Sequence, residues 1–376
     1  MNILIPDGEA AFTLSVIRCL SEYQHIKIFI IYTSRENIES KFSKFVYESI
    51  FFNKTENEED FVKFVKAEIQ KNKIDVLIPL HFYAFRLFSK HKAELEDILL
   101  NLPVTSVEKL ELVNNKYDLS EFLEQQDLPC PRTYREVSDC EDSPIFPLLF
   151  KPLDGIGGKG IRSIENKKDL DDAFHNNEKG RFIIQEFVKG YDIDCSVLSK
   201  EGRILAFTMQ KGFISSKIPF APPDGVEFLN EPKLFNVIEK LIQTLNWTGV
   251  MHIDLRYDES DGNYKIIDIN PRFWASVRAS CKVGVNFPLL FCLSSLNIPY
   301  NQPAFEYKKY ANLNGLRKII VSKLKLRNML EMPENSPIKD DICDPKPLLY
   351  HIYQKIENKI KSSDRNNREI QNNSQL

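Results

Sequence analysis

Four polar side chains stand out by type and spacing: Asp254, Asp268, Asn270 and Arg272. The last three occupy alternate positions in the stretch KIIDINPRFWAS, Lys265 to Ser276, at the end of an apolar run. Residues two apart in a strand share a face, so three polar groups on one face there call for a partner. Asp254 sits in GVMHIDLRY, fourteen positions before Asp268, and the spacer Asp258-Glu259-Ser260-Asp261-Gly262 is rich in turn formers. The two segments are predicted as an antiparallel hairpin that places Asp254 opposite Asp268 and Asn270. Two carboxylates and an amide oxygen form a hard, all-oxygen site suited to Mg²⁺, which shares its shell with water and substrate phosphates. Arg272 adds a fork for an anionic oxygen. The competing reading is a hairpin whose acids are merely solvated.

A second motif, FKPLDGIGGKGI, contains Gly155-x-Gly157-x-x-Gly160. The glycines run into the alternating strand Ile161-Arg162-Ser163-Ile164 rather than into a helix, which argues against a dinucleotide-binding turn. No P-loop aligns here, and neither an HRD nor a DFG sequence accompanies the loop, which excludes a protein kinase. What remains is a glycine-rich hairpin tip whose backbone N–H groups can fold over phosphates. Lys151, on the strand leading into it, is placed to reach a phosphate from the side; a flexible hairpin with a surface lysine is the alternative. In FIIQEFVKGYDID a strand runs through Gln185-Glu186-Phe187-Val188 to Gly190-Tyr191-Asp192. Adenine is commonly read by backbone groups in such a linker, with a following carboxylate for the ribose. In isolation it is a strand ending in a glycine turn.

The elements that must carry these groups follow from pattern. Ile3–Ile5, Lys27–Tyr32 and Asp75–Leu80 read as strands, with helices at Ala10–Leu20 and Phe61–Lys71 between them. This βαβ rhythm predicts a parallel sheet covered by helices, although Pro6-Asp7-Gly8-Glu9 lacks the dinucleotide fingerprint. Ser106–Gln126 is expected to be helical, ended by Pro129 and Pro131. Strands are expected at Pro147–Lys151, Ile161–Ile164, Phe182–Phe187, Asp194–Leu198 and Ile204–Met209. A helix at Glu231–Leu245 precedes strands at Val250–Tyr257 and Tyr264–Ile269, and an apolar helix starts near Phe287. Hairpins mixed with helices indicate α+β.

Composition excludes several classes. At 376 residues the chain suits two or three domains. A formal net charge of -3 argues neither for nor against nucleic acid, and no nucleic-acid partner is expected. No run approaches the roughly 18 apolar residues of a membrane span. The N-terminus MNILIPDGEA has no basic leader, and the seven scattered cysteines are never spaced CxxC. A reducing cytoplasm is the expected location and a thiolate zinc site is not expected. The six histidines form no pair at metal-ligand spacing, so any metal is expected on oxygen atoms.

The order and spacing of NNKYDLSEFLEQQDLPCPRTY, FPLLFKPLDGIGGKGI, IIQEFVKGYDID, GVMHIDLRY and KIIDINPRFWAS resemble the ATP-grasp superfamily of carboxylate-amine ligases. The resemblance covers about Val104 to Ala304, and INPRFWAS…VGVNFPLL looks most like the biotin-carboxylase-like and carbamoyl-phosphate-synthase-like carboligase branch. It implies an α/β, Rossmann-like N-terminal (pre-ATP-grasp) domain followed by an α+β ATP-grasp fold of two subdomains sandwiching ATP. The expected divisions are 1–105 for the N-terminal domain, 106–182 for the subdomain with the glycine-rich lid, 183–305 for the subdomain with the metal site, 306–361 for a basic helical extension and 362–376 for a disordered tail. The resemblance implies ATP and Mg²⁺, with Mn²⁺ as a substitute. Lys116 and Lys151 would contact ATP phosphates under a lid of Gly155, Gly157, Gly158 and Gly160. Glu186 and Val188 would lie beside adenine and Asp192 beside ribose. Asp254, Asp268 and Asn270 would bind the metal ions, and Arg272 would hold a phosphate or acyl phosphate.

The implied activity activates a small-molecule carboxylate as an acyl phosphate and joins it to an amine, releasing ADP and phosphate. Such a chain could also form a homodimer. Asp268 stands where the family usually has Glu, Asp192 is likewise the shorter acid, and His252 sits where some relatives have a substrate-facing Arg. A catalytically silent ATP-binding protein, a sensor or partner subunit, is the alternative. Lys211, Lys217, Arg256 and Arg278 are candidates for the acceptor carboxylate, with surface charges as the bland expectation. The basic helix Leu316–Leu330 is expected to dock on the protein's own core, with a membrane surface or acidic carrier as the other reading.

Overall fold

The structure is a computed structural model that describes residues 1–34, 38–53, 55, 57–134, 145–153, 157–175, 182–324 and 333–358. Its N-terminal part contains β1 (Asn2–Ile5), α1 (Thr13–Leu20), β2 (Lys27–Tyr32), β3 (Val46–Phe51), α2 (Glu58–Lys71), β4 (Val76–Leu77), α3 (Phe82–Lys90) and α4 (Lys92–Glu96). The strands form a parallel sheet in the order β3-β2-β1-β4. In β2, Ile28 to Ile31 are all buried, the continuous apolar run of a strand covered on both faces. β3 was not anticipated; its half-exposed edge position explains the weak sequence signal.

The segment expected as one helix over Ser106–Gln126 is two, α5 (Val107–Asn114) and α6 (Lys116–Gln125). Asn115 breaks them by adopting an extended backbone, and its Oδ1 accepts from the N–H groups of Tyr117 at 3.0 Å and Asp118 at 3.3 Å. This N-cap contributes about 1 kcal/mol and makes Lys116 the first residue of α6.

Next come β5 (Thr133–Tyr134), β6 (Leu148–Pro152), β7 (Arg162–Ile164), α7 (Lys167–His175) and β8 (Phe182–Glu186), whose strands form an antiparallel sheet in the order β5-β8-β6-β7. The longer strands follow: β9 (Gly190–Lys200), β10 (Arg203–Ile214) and β11 (Gly225–Phe228). After α8 (Pro232–Leu245) come β12 (Gly249–Asp258), β13 (Asn263–Asn270), α9 (Val277–Lys282), α10 (Phe287–Ser295), β14 (Lys309–Ala311), α11 (Leu313–Leu324) and α12 (Ile338–Cys343). A six-stranded antiparallel sheet runs β13-β12-β9-β10-β11-β14. α8 buries Leu234, Ile238, Leu241, Ile242 and Leu245, the stripe of an amphipathic helix, against β10 and β13.

One continuous core joins the parallel sheet to the six-stranded sheet, running from Ile3 through Leu80 to Ile253 and Phe291. The β5–β8 sheet has its own small core of Leu148, Phe150, Ile164, Leu170, Ala173, Phe182 and Ile184. α11 buries Leu316 and Ile319 against Ile214 and Ala311. Arg278, expected as a surface charge, is buried at 5% exposure. Its guanidinium donates to Asp340 of α12 at 2.8 and 2.6 Å, which ties the C-terminal region to the core. A buried guanidinium needs such a partner, and the acid lies 62 residues away in the chain. Among the described residues, no helix is long and apolar enough to cross a membrane.

Candidate active site

The polar face of the six-stranded sheet is organised in rows. Gln210, Asp194, Asp254 and Asp268 are successive register partners across β10, β9, β12 and β13. The next row is Thr208, Ser196, His252 and Asn270, and on the other side Asp192 pairs with Arg256. The alternation of β12 makes this possible: Met251, Ile253 and Leu255 are buried while His252, Asp254 and Arg256 point to the opposite face. Asp254 therefore faces Asp268, as expected, but Asn270 faces His252 one step along.

Asn270 donates from Nδ2 to Asp254 Oδ2 at 3.3 Å, and its Oδ1 accepts from Arg272 Nη2 at 2.8 Å. Arg272 also donates to the Phe273 carbonyl at 2.8 Å and lies 5.6 Å from the Phe12 ring. Lys116 Nζ reaches Asp268 Oδ2 at 3.3 Å. Burial, then the neighbouring Asp194 and Asp268 carboxylates, push Asp254 well above the usual carboxylate range. Burial raises Asp194 to about 7, and burial lowers His252 to about 3. Three carboxylates crowded on one sheet face mark a place where a bound cation would relieve repulsion. The oxygen donors of Asp254, Asp268 and Asn270 fit Mg²⁺ or Mn²⁺ by type.

Lys151 on β6 is 5% exposed, and its Nζ donates to Gln185 Oε1 at 2.5 Å. Burial lowers its pKa to about 8, against the attraction of Asp268. Gln185 is fixed in turn by donating to Thr133 Oγ1 at 2.9 Å. Gly157, Gly158 and Gly160 all have positive φ, at 62°, 78° and 80°. A Cβ on Gly158 would fall on the Phe220 carbonyl of the β10–β11 loop, so glycine is required there twice over. Gly155 lies outside the described residues.

Glu186 bonds to Arg132 through both its backbone N–H (2.9 Å) and its carboxylate (3.2 Å). The Val188 carbonyl accepts from Arg256 Nε at 2.5 Å, the Gly190 carbonyl from Nη2 at 2.8 Å, and Asp192 from Nη1 at 2.5 Å. Arg256 was expected as a surface charge. It instead staples the linker between the two sheets, because the register sets it beside Asp192. Lys211 lies 3.7 Å over the Tyr191 ring, and Lys217 is exposed.

Residues that sequence reasoning passed over also reach this face. Asp194, Ser196 and Gln210 line it, and the signal for the first two was present: Asp192, Asp194 and Ser196 alternate with buried Ile193, Cys195 and Val197. The N-terminal domain contributes as well. Asp7 accepts from the N–H groups of Leu80 and His81, while the Phe273 N–H donates to Leu80. Burial raises Asp7 to about 7. Burial and the Arg272 charge lower His81.

Comparison with known proteins bears on the fold that carries this face. The chain is 24% identical over 212 residues to the D-aspartate ligase of Enterococcus faecium (strain Aus0004), covering 50% of this chain and 50% of that protein. The chain thus spans about half the length of that curated relative. The crystal structure of an L-amino acid ligase from Bacillus licheniformis superposes with a TM-score of 0.60 at 19% identity, covering 82% of this chain and 78% of the other. The biotin carboxylase domain of Hydrogenobacter thermophilus 2-oxoglutarate carboxylase, solved with MgADP and bicarbonate, gives 0.63 at 16% identity, covering 82% and 73%. The profile of a family described as ATP-grasp domain matches residues 113–276, from the last turn of α5 to just past the Asp268–Arg272 segment, and that matched span is accordingly an ATP-grasp domain.

Proposed function

We propose that this chain is an ATP- and Mg²⁺-dependent ligase that joins a small-molecule carboxylate to an amine and forms ADP. A carboxylate oxygen of the substrate attacks the γ-phosphorus of ATP, the bond to the bridging oxygen breaks, and ADP leaves. The amine nitrogen then attacks the acyl carbon, phosphate departs, and the nitrogen loses its proton. The observation that carries the reading is the facing pair Asp254 and Asp268, with Lys116 at 3.3 Å from Asp268 and the buried Lys151 within electrostatic range of both carboxylates. Asp254, Asp268 and Asn270 would hold Mg²⁺, which supplies charge neutralisation for the phosphates.

The chain's own residues do the rest. Lys116 and Lys151 bind phosphate oxygens, Arg272 holds the transferred phosphoryl group, and the glycine turn excludes water from the acyl phosphate. Glu186 and Val188 would flank adenine, with Asp192 beside ribose and Arg256 keeping that linker in shape. The names of the D-aspartate ligase and the L-amino acid ligase support an amino acid as one of the substrates.

The test is ADP release with Mg·ATP across a panel of amino acids and small carboxylates, with hydroxylamine added to capture the acyl phosphate as a hydroxamate. Substrate-dependent ADP and hydroxamate are expected. Tight nucleotide binding with no release for any acceptor would favour a silent nucleotide sensor, and no nucleotide binding would overturn the reading.

A further inference from the structure

Asp194, His252 and Asp254 each bring one ligand atom to within 4.8 Å of the others on the polar sheet face. Two ligands on one divalent ion, each at about 2.1 Å, stand roughly 3–4.2 Å apart. Small side-chain rotations therefore close the set. Two observations beyond the acids point to an ion. The imidazole is already oriented: its Nδ1 lies 2.8 Å from the buried Ser196 hydroxyl and its Nε2 3.3 Å from Asp254 Oδ1. Its plane is fixed by stacking on Trp274, with ring centroids 5.5 Å apart and 11° between planes. A ligating histidine gives its other ring nitrogen to such a partner; with Nδ1–H donated to Ser196, Nε2 turns a lone pair toward the carboxylates.

The second observation is Gln210, which is 3% exposed. Its Nε2 donates to Asp194 Oδ2 at 3.2 Å, yet its Oε1 is buried with no partner. The same Nε2 donates to Ser276 Oγ at 2.9 Å, so the amide is held beside the cluster with its oxygen left unsatisfied. Leaving such an oxygen unpaired is destabilising, and an ion with a bound water beside it would satisfy it.

We propose that Asp194, His252 and Asp254 bind a divalent transition-metal ion of the Mn²⁺ or Co²⁺ kind through one imidazole nitrogen and two carboxylates, before nucleotide arrives and in preference to Mg²⁺. The nitrogen decides the preference, since imidazole suits transition ions while Mg²⁺ takes oxygen. Asp254 is shared with the Asp268–Asn270 set, so this ion sits at the edge of the nucleotide's metal site. In the opposing arrangement Ser196 donates to Nδ1 and the Nε2–H donates to Asp254, and no ion is held.

The full chain without nucleotide is titrated with Mn²⁺, and the bound ion is read by pulsed electron paramagnetic resonance. One bound ion is expected, with nitrogen modulation from the imidazole and at least a tenfold preference over Mg²⁺ in competition. His252→Asn should abolish the modulation and weaken binding roughly 10–100-fold, and Asp194→Asn should weaken it comparably with the circular dichroism unchanged. A bound Mn²⁺ without nitrogen modulation in the unaltered chain, or no ion before nucleotide, overturns the proposal. Nucleotide and turnover play no part in the readout, so loss of the ligase reading would leave this site standing.

Discussion

Asp254 of β12 and Asp268 of β13 are direct register partners, and the irregularity that follows them passes over Ile267, since Leu255 pairs with Ile266. Tyr264 and Ile266 face the core before that point and Ile269 faces it after. The bulge thus resets the strand's phase, so that Asp268 and Asn270 share the polar face with Asp254. Bulges beside functional sites commonly re-aim side chains in this way.

Replacing Asp268 by Ala should remove a proposed metal ligand and the partner of Lys116 together. Substrate-dependent ADP release should fall by about 100-fold or more, on the scale of losing an electrostatic contact made at the reacting phosphate. Asp268→Glu, which restores the family's longer acid, should keep activity and lower the Mg²⁺ concentration for half-maximal rate. Steady-state rates over a Mg²⁺ series check both; an Asp268→Ala protein with unchanged rate would remove this residue from the site.

Lys151 predicts a pH dependence. Its pKa is lowered to about 8 in the free protein, below the ordinary 10.5. Between those values the folded chain binds fewer protons at this group than the unfolded chain, so its contribution to stability rises with pH. Nucleotide affinity should move the other way, because phosphates favour the charged ammonium. ATP affinity should weaken up to about tenfold per pH unit above 8, with uptake of a proton on binding. Calorimetry in buffers of different ionisation heat measures that proton, and Lys151→Arg should abolish it.

Gly158→Ala should disable the glycine turn proposed as a lid while leaving the main core intact. The substitution strains a residue at φ 78° and drives a methyl group onto the Phe220 carbonyl. The β5–β8 lobe has a core separate from the main one, so thermal unfolding of the bulk should change little. ATP turnover should drop by about tenfold or more, matching about 1.4 kcal/mol or more of strain and misplacement. Rate measurement beside differential scanning calorimetry separates the two effects.

Arg278→Ala should be destabilising by about 3–5 kcal/mol, the cost of stranding a buried charge partner. Asp340 would lose both short guanidinium bonds and, among the described residues, keep Lys282 at 3.0 Å. The double variant Arg278→Ala/Asp340→Ala should lose less than the sum of the single changes. Urea unfolding of the four proteins completes the cycle.

The sequence by itself determined the βαβ opening, the hairpin of Asp254 and Asp268, and the glycine turn preceded by Lys151. Each rests on a local rule: alternation in strands, glycine where φ is positive, prolines at helix ends. Those rules act over a few residues and can be read without knowing the partners. The tertiary structure decided what long-range register brings together. It set Asp194 and Gln210 in the row of Asp254, turned His252 toward a carboxylate, and placed Arg256 on Asp192 from 64 residues away. It also buried Arg278 against Asp340, contrary to the ordinary expectation for an arginine. An isolated sequence shows which face a residue takes within its strand, but which strand lies alongside depends on how the whole core closes.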